Sequence, residues 1–156
     1  MKKKWIIVLL IIIILVIIII LNIYNYNSRL IQCTYNSKND LYDIKTKYLI
    51  KHKKDKVINL YTEEVITSTD EKMLSDYKFS LETVYNKYNK LKYYDNAIIL
   101  KDNTLTVKTN INYEKINIDN FIDIDNNIKK LLNKGNISVK KLKQTYKNNG
   151  AKCIYK

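Results

Sequence analysis

The seventeen residues from Trp5 to Leu21 are all apolar, nearly all of them Ile, Leu or Val, and they stand directly behind Lys2, Lys3 and Lys4. A helix rises about 1.5 Å per residue, so this run extended through Ile23 reaches roughly 28 Å, close to the hydrocarbon thickness of a bilayer. Each Ile, Leu or Val adds roughly −0.3 to −0.6 kcal/mol on the insertion scale, so the segment favours the membrane by several kcal/mol. Lysines next to a span stay on the cytoplasmic side. The expected organisation is a cytoplasmic basic tip at 1–4, a transmembrane helix as signal-anchor at 5–23, a short stalk at 24–29 and an extracytoplasmic domain at 30–156. Trp5 at one end and Tyr24 and Tyr26 at the other suit the aromatic belts of the two interfaces.

A cleaved secretory signal has an apolar core of about 7–15 residues and small residues at its cleavage site. The core here is longer, and residues 22–32 contain no such small-residue pattern. Lipidation of Cys33 is disfavoured because the residue before it is the bulky Gln32 and because Arg29 separates it from the apolar core. A pilin-like subunit is set aside as well, since the apolar run has neither a small residue before a cleavable bond nor an early Glu.

The remaining length suits one ordinary domain with its own core. Without Lys2 to Lys4, 25 of the 28 cations remain against 15 acids, a net charge near +10. Such a domain is attracted to lipid head groups, acidic wall polymers or nucleic acid. Nucleic acid is excluded as a partner: the lysines are spread over every segment, and Arg29 is the sole arginine. The abundance of Ile, Asn, Lys and Tyr with no Pro also fits an AT-rich coding sequence, so the charge is read both as functional and as codon bias.

Cys33 and Cys153 fall near the two ends of the exported domain. In an oxidising compartment they predict a disulfide joining the first strand to the last. The chain has no C-x-x-C and no metal-type cluster, so neither redox chemistry nor a cofactor is expected.

The period-two pattern predicts a first strand over 30–35, then Tyr42, Ile44, Thr46, Tyr48 and Ile50 on one face of a second strand with Asp43, Lys45, Lys47 and Lys51 on the other. After a turn at 53–56, a third strand alternates Ile58, Leu60, Thr62, Glu64 and Ile66 against Val57, Asn59, Tyr61, Glu63 and Val65. Ser68 to Glu71 reads as a capping box opening a long amphipathic helix to about Leu91. A second hairpin spans 97–113, turning at 101–104. Two helices follow, one over about 125–133 stopped by Gly135, the other opening behind Ser138 and ending at Asn149-Gly150. A last short strand covers 151–155. Strands, helix, strands, helices predict an α+β domain: an antiparallel sheet with helices packed on one face.

Motifs with chemistry are scarce. His52, the single histidine, sits among lysines at a hairpin end and reads as a surface residue. Gly135 and Gly150 are the only glycines, which leaves no phosphate-binding loop. Asp119, Asp123 and Asp125 with Asn126 and Asn127 loosely suggest a calcium loop. Counted from Asp123, however, the sixth and twelfth positions are Ile128 and Lys134 where Gly and Glu are needed, and helix capping explains these residues better. Glu63 and Glu64 point to opposite faces of a strand and cannot act as an acid–base pair. Asn136-Ile137-Ser138 matches a glycosylation acceptor, a pattern common by chance. The 14 tyrosines suit either a binding platform or a core with hydroxyls at its edge.

Several features together resemble the YehR-like family of small exported bacterial lipoproteins of unknown function. They are Cys33-Thr34, the hairpin ending in Tyr61-Thr62-Glu63-Glu64, the helix start from Ser68 to Glu71, Ile111-Asn112-Tyr113-Glu114 running to Asp119, and Asn149-Gly150-Ala151-Lys152-Cys153. The resemblance spans about residues 33–156. Members of that family carry a lipid-attachment Cys just after the signal, and this chain departs from them there. The resemblance implies a bacterial envelope protein without an assigned activity or site.

The sequence therefore predicts an uncharacterised single-pass protein of the cell membrane that is not an enzyme. Its extracytoplasmic domain is expected to bind an envelope protein or an anionic wall polymer, with Lys45, Lys47 and Lys51 as the basic binding face. An envelope hydrolase with an unfamiliar site, or a lipoprotein-like accessory subunit, are the alternatives.

Overall fold

Three alternating strands in a row build the centre of the domain: β1 (Arg29–Lys38), β2 (Asp43–Lys53) and β3 (Lys56–Thr67). The computed structural model describes residues 11–20 and 28–156. Beyond β3 come helix α2 (Glu71–Asn86), the hairpin β4 (Tyr94–Lys101) and β5 (Thr104–Asn112), and the short helices α3 (Ile118–Ile124) and α4 (Ile128–Leu131). A two-residue ribbon, β6 (Leu132–Asn133) and β7 (Asn136–Ile137), leads into α5 (Val139–Asn148) and β8 (Lys152–Tyr155). Residues 11–20 form a further helix, α1.

The main sheet has six strands in the order β4-β5-β3-β2-β1-β8, with every neighbouring pair antiparallel. β3 and β4 both run opposite to β5, so α2 connects them as a crossover. α2 packs over β4 and β5, and α5 packs against β8. The alternation read from the sequence decides which side faces these helices: Ile31, Cys33, Ile50, Leu60, Ile66, Leu105, Val107 and Ile111 are all buried. Burying such a side chain contributes about 1.5–3 kcal/mol, which is why this register is fixed. The core has two parts. A larger one joins Ile31, Ile50, Leu60 and Ile111 to Phe121, Ile128 and Leu142, and a smaller one joins Ile66, Leu105 and Val107 to Leu74.

Local chemistry shifts several expected boundaries. β1 begins at Arg29, one residue inside the expected stalk. Asp70 caps α2 by accepting from Met73 N–H at 2.9 Å, whereas Ser68 accepts from Asp70 N–H at 3.0 Å and donates to the Leu41 carbonyl at 2.6 Å. The carboxylate outcompetes the hydroxyl at the dipole's positive end. α2 stops at Asn86 because the next N–H groups bond three residues back, Tyr88 to Tyr85 and Leu91 to Tyr88, each at 2.9 Å. These tight turns still bury Tyr88 and Leu91.

Of the helix expected over 125–133 only Ile128–Leu131 is helical, and a separate helix, α3, precedes it. Asn117 caps α3 by accepting from Asp119 and Asn120 N–H, each at 3.0 Å. Asp125, extended at φ −135° and ψ 98°, ends that helix, and its side chain accepts from Asn127 N–H at 3.0 Å. Gly135 is no helix stop: with Lys134 it forms the two-residue turn between β6 and β7, both at positive φ. α5 follows the expected chemistry, with Ser138 accepting from Lys141 N–H, then Gly150 and Ala151 N–H returning to Lys147 and Tyr146 carbonyls in a Schellman pattern.

His52 is a correction. It is 6 % exposed, not a surface residue. It continues the inward set Tyr48, Ile50, and a register shift between Lys51 and His52 brings Val57 opposite it, buried as well. Its Nδ1 lies 2.8 Å from the Lys54 carbonyl and so carries the hydrogen; Nε2 is buried without a partner.

Of the expected span 5–23, residues 11–20 are helical with every side chain exposed, and the rest lies outside the described residues. Among the described residues no helix is long and apolar enough to cross a membrane. The basic tip at 1–4 and residues 24–27 of the stalk also lie outside them.

Candidate functional site

On the helix-facing side of the sheet the cross-strand rows are not uniformly apolar. Ile50, Leu60 and Ile111 form one buried row, and Ile66 with Leu105 another. Between them lie Tyr48, Thr62 and Thr109, and beside these Thr46, Glu64 and Val107. Tyr48, Thr62 and Glu64 are only half-buried, although they sit at the middle of the covered face. The helices part here. The gap is a cavity of about 380 Å³ walled by Tyr85 and Leu81 of α2, Leu131 of α4 and Tyr146 of α5.

The floor carries a carboxylate and hydroxyls. Glu64 Oε2 accepts from Thr46 Oγ1 at 3.2 Å. Among the described residues no lysine or arginine comes within ion-pair distance of Glu64; the pairs formed are Asp43–Lys45, Lys78–Glu82 and Glu63–Lys108. Burial pushes the Glu64 carboxyl above its ordinary value, and the Thr46 hydroxyl partly opposes that. Burial, then the Glu64 charge, raise the phenols of Tyr48 and Tyr77.

Tyr48 and Tyr146 stack at 3.9 Å between centroids, with 19° between their planes. Burial raises the Tyr146 phenol too. At the far wall Tyr88 and Tyr94 stack at 4.9 Å, and Phe121 meets both edge-on. The Tyr88 hydroxyl donates to Asp125 at 3.3 Å, and burial, then the Asp125 charge, push its pKa up to about 12. Tyrosine therefore fills both roles open to it: Tyr88, Tyr94 and Tyr113 are buried in the core behind the cavity, while Tyr48, Tyr85 and Tyr146 are partly buried along its opening.

Lys45, Lys47 and Lys51 point away from this cavity, on the face opposite the helices. Lys45 sits 3.2 Å from Asp43, Lys47 faces Glu63 across the ladder, and Glu63 is 3.3 Å from Lys108. Counter-charges therefore dilute the expected basic face. A denser positive group lies beside α5, where Lys54, Lys140, Lys143 and Lys147 surround a cavity of about 410 Å³ that also touches His52 and Tyr155. Its one acid, Asp55, is occupied: it accepts from Ser138 Oγ at 2.9 Å, Lys140 N–H at 3.0 Å and Asn133 at 3.1 Å.

Cys33 and Cys153 are disulfide-bonded, directly opposite each other in the β1–β8 ladder. No group of three His, Cys, Asp or Glu among the described residues is arranged to hold a metal ion. The cavity residues escaped notice in the sequence although their signal was present: Thr46, Thr62, Glu64 and Thr109 are polar residues at inward positions of three strands. They align only once the strand order is known.

No protein-family model matches the chain, and no curated protein matches it. Two solved structures share the fold. One is the NMR structure of the E. coli YehR protein, 19 % identical, with a TM-score of 0.55, covering 79 % of this chain and 89 % of that one. The other is the NMR structure of a protein from Streptococcus pneumoniae TIGR4, 15 % identical, with a TM-score of 0.53, covering 81 % of this chain and 85 % of that one. The domain thus has the YehR-like fold: a small α+β unit built on a six-stranded antiparallel sheet.

Proposed function

We propose that this chain is a membrane-tethered envelope protein, not an enzyme, whose extracytoplasmic domain binds an anionic envelope polymer through surface lysines. The observation that carries the reading is the groove beside α5, which four lysines line and whose one carboxylate is taken up in hydrogen bonds. The sheet-face lysines Lys45, Lys47 and Lys51 form a second, weaker contact, because Asp43 and Glu63 lie among them. The anchor is residues 5–23: the apolar run behind three lysines supports it, and so do the exposed apolar side chains of residues 11–20. The YehR-like motifs of the sequence suit an envelope location.

The test compares retention of the full chain on sulfated dextran and on uncharged dextran between about 50 and 300 mM salt, across which the screening length shortens roughly 2.4-fold. Retention on the sulfated matrix alone, falling with salt and weakened most by Lys140→Gln, Lys143→Gln and Lys147→Gln together, supports the proposal. Retention unaffected by salt, or by both this set and Lys45→Gln, Lys47→Gln, Lys51→Gln, overturns it. Protease accessibility of residues 30–156 on intact cells tests the orientation.

A further inference from the structure

We propose that the cavity between sheet and helices is a binding site for an organic ammonium group, with Glu64 as its counter-ion and Tyr48, Tyr85 and Tyr146 as its aromatic wall. The inference is independent of polymer binding, which uses the outside of the domain and the opposite charge. It rests on four observations.

Two carboxylates line the cavity: Asp125, on the α3–α4 side, accepts from the Tyr88 hydroxyl, whereas Glu64, on the sheet floor, has no cationic partner among the described residues. A half-buried carboxylate that accepts from a threonine hydroxyl has spare acceptor capacity, since an ionised carboxylate offers about four lone-pair sites. Next, the helices leave this place partly open: Tyr48, Thr62 and Glu64 are half-buried, while Ile50, Leu60 and Ile111 on one side and Ile66 and Leu105 on the other are sealed. Third, tyrosine rings line the walls, Tyr48 and Tyr146 as a stacked pair and Tyr85 from α2, and a ring face offered to a cation attracts it by about 0.5–2 kcal/mol, most when desolvated. Finally, in a chain so rich in lysine, none is among the residues lining this cavity.

The combination selects the ligand's chemistry. The carboxylate and the ring faces both favour positive charge, and anions are repelled by both. Leu81, Val107 and Leu131 give the ligand's carbon body an apolar surface, and Thr62 and Thr109 offer hydroxyls to an N–H or O–H. About 380 Å³ admits a small organic cation, whether quaternary or primary.

The experiment titrates the full chain in neutral detergent with choline chloride and with n-butylammonium chloride, following tyrosine ring resonances by NMR. Dimethylbutanol, the uncharged carbon isostere of choline, n-butanol and matched sodium chloride serve as controls. The expected result is a saturable shift of ring signals with at least one ammonium and with neither alcohol, at least about fivefold weaker in Glu64→Gln. In the parent protein the same binding should weaken as pH falls and Glu64 takes up its proton, a readout that stands if the variant folds poorly. Equal binding of an alcohol and its ammonium counterpart, an unchanged affinity in Glu64→Gln, or no saturable shift beyond that of sodium chloride overturns the proposal.

Discussion

Asp55, in the turn between β2 and β3, holds the start of α5: its carboxylate accepts from Ser138 Oγ and from Lys140 N–H, and its carbonyl accepts from Val139 N–H at 2.9 Å. Ser138 supplies the helix's own cap to Lys141 N–H, so two side chains share the first turn. A hairpin turn thus fixes the entry of a helix more than eighty residues later in the chain, and with it one wall of the lysine groove.

Replacing Asp55 with Ala should destabilise the domain by about 0.5–1 kcal/mol, the lower range for a cap because the residue is largely exposed. Burial raises the Asp55 carboxyl, but the hydrogen bonds from Lys140, Asn133 and Ser138 outweigh it and hold the group below its ordinary value. A depressed folded-state pKa adds stability above the unfolded value of 3.8, lost as pH falls through the folded one. Urea unfolding of parent and Asp55→Ala should therefore differ at pH 7 and converge in strong acid. A constant difference at every pH would remove the ionised cap from the account.

The Cys33–Cys153 bond closes a loop with a sequence separation of 120. Chain entropy puts its contribution at about 5 kcal/mol, with real values often lower. Reduction should therefore lower the urea midpoint substantially. β8 adds to the sheet only at its β1 edge and by four residues, so the exchange protection of Lys152–Tyr155 amides should fall first. A midpoint indifferent to reductant would show that the edge strand is held by pairing alone.

His52 packs against Tyr155 edge-on, at 6.4 Å between centroids, and has one satisfied nitrogen and one unsatisfied. His52→Phe loses the bond to the Lys54 carbonyl but also removes the orphaned Nε2, two effects of about 1 kcal/mol that oppose each other. His52→Ala keeps neither bond nor ring and leaves a void. The alanine variant should be the less stable of the two, by about 1–2 kcal/mol in thermal or urea unfolding. The reverse order would mean that the Lys54 bond governs the site.

The same histidine shows how far the sequence was legible. The inward parity of Tyr48 and Ile50 already pointed to position 52, yet the lysines flanking it suggested solvent; strand period outranks local composition. Strand alternation and the hairpins were readable because period two survives in each strand alone. The end of α3 at Asp125 was not, since it involves a carboxylate that bonds Asn127 on one side and Tyr88 on the other. Nor was the cavity. Thr46, Thr62, Glu64 and Thr109 come from three strands, and only the β2-β3-β5 pairing sets them side by side.

Glu64 gives the prediction with the clearest sign. Burial raises its folded-state pKa above the ordinary 4.5. The folded state then binds the proton more tightly than the unfolded one, so the favourable term is complete below about pH 4.5 and is lost as pH rises through the folded pKa. Glu64→Gln keeps the shape and removes the titration. At pH 4 variant and parent should be nearly equally stable; at pH 7 the variant should be the more stable, by under about 1 kcal/mol because the site is half-open and solvent screens the charge. Urea midpoints at the two pH values check this. A variant less stable than the parent at pH 7 would mean that the Thr46 bond to the ionised carboxylate outweighs the burial of its charge. A stabilising substitution that also weakens ammonium binding would mark Glu64 as a residue kept at a cost to the fold, the balance expected of a site held open for a ligand.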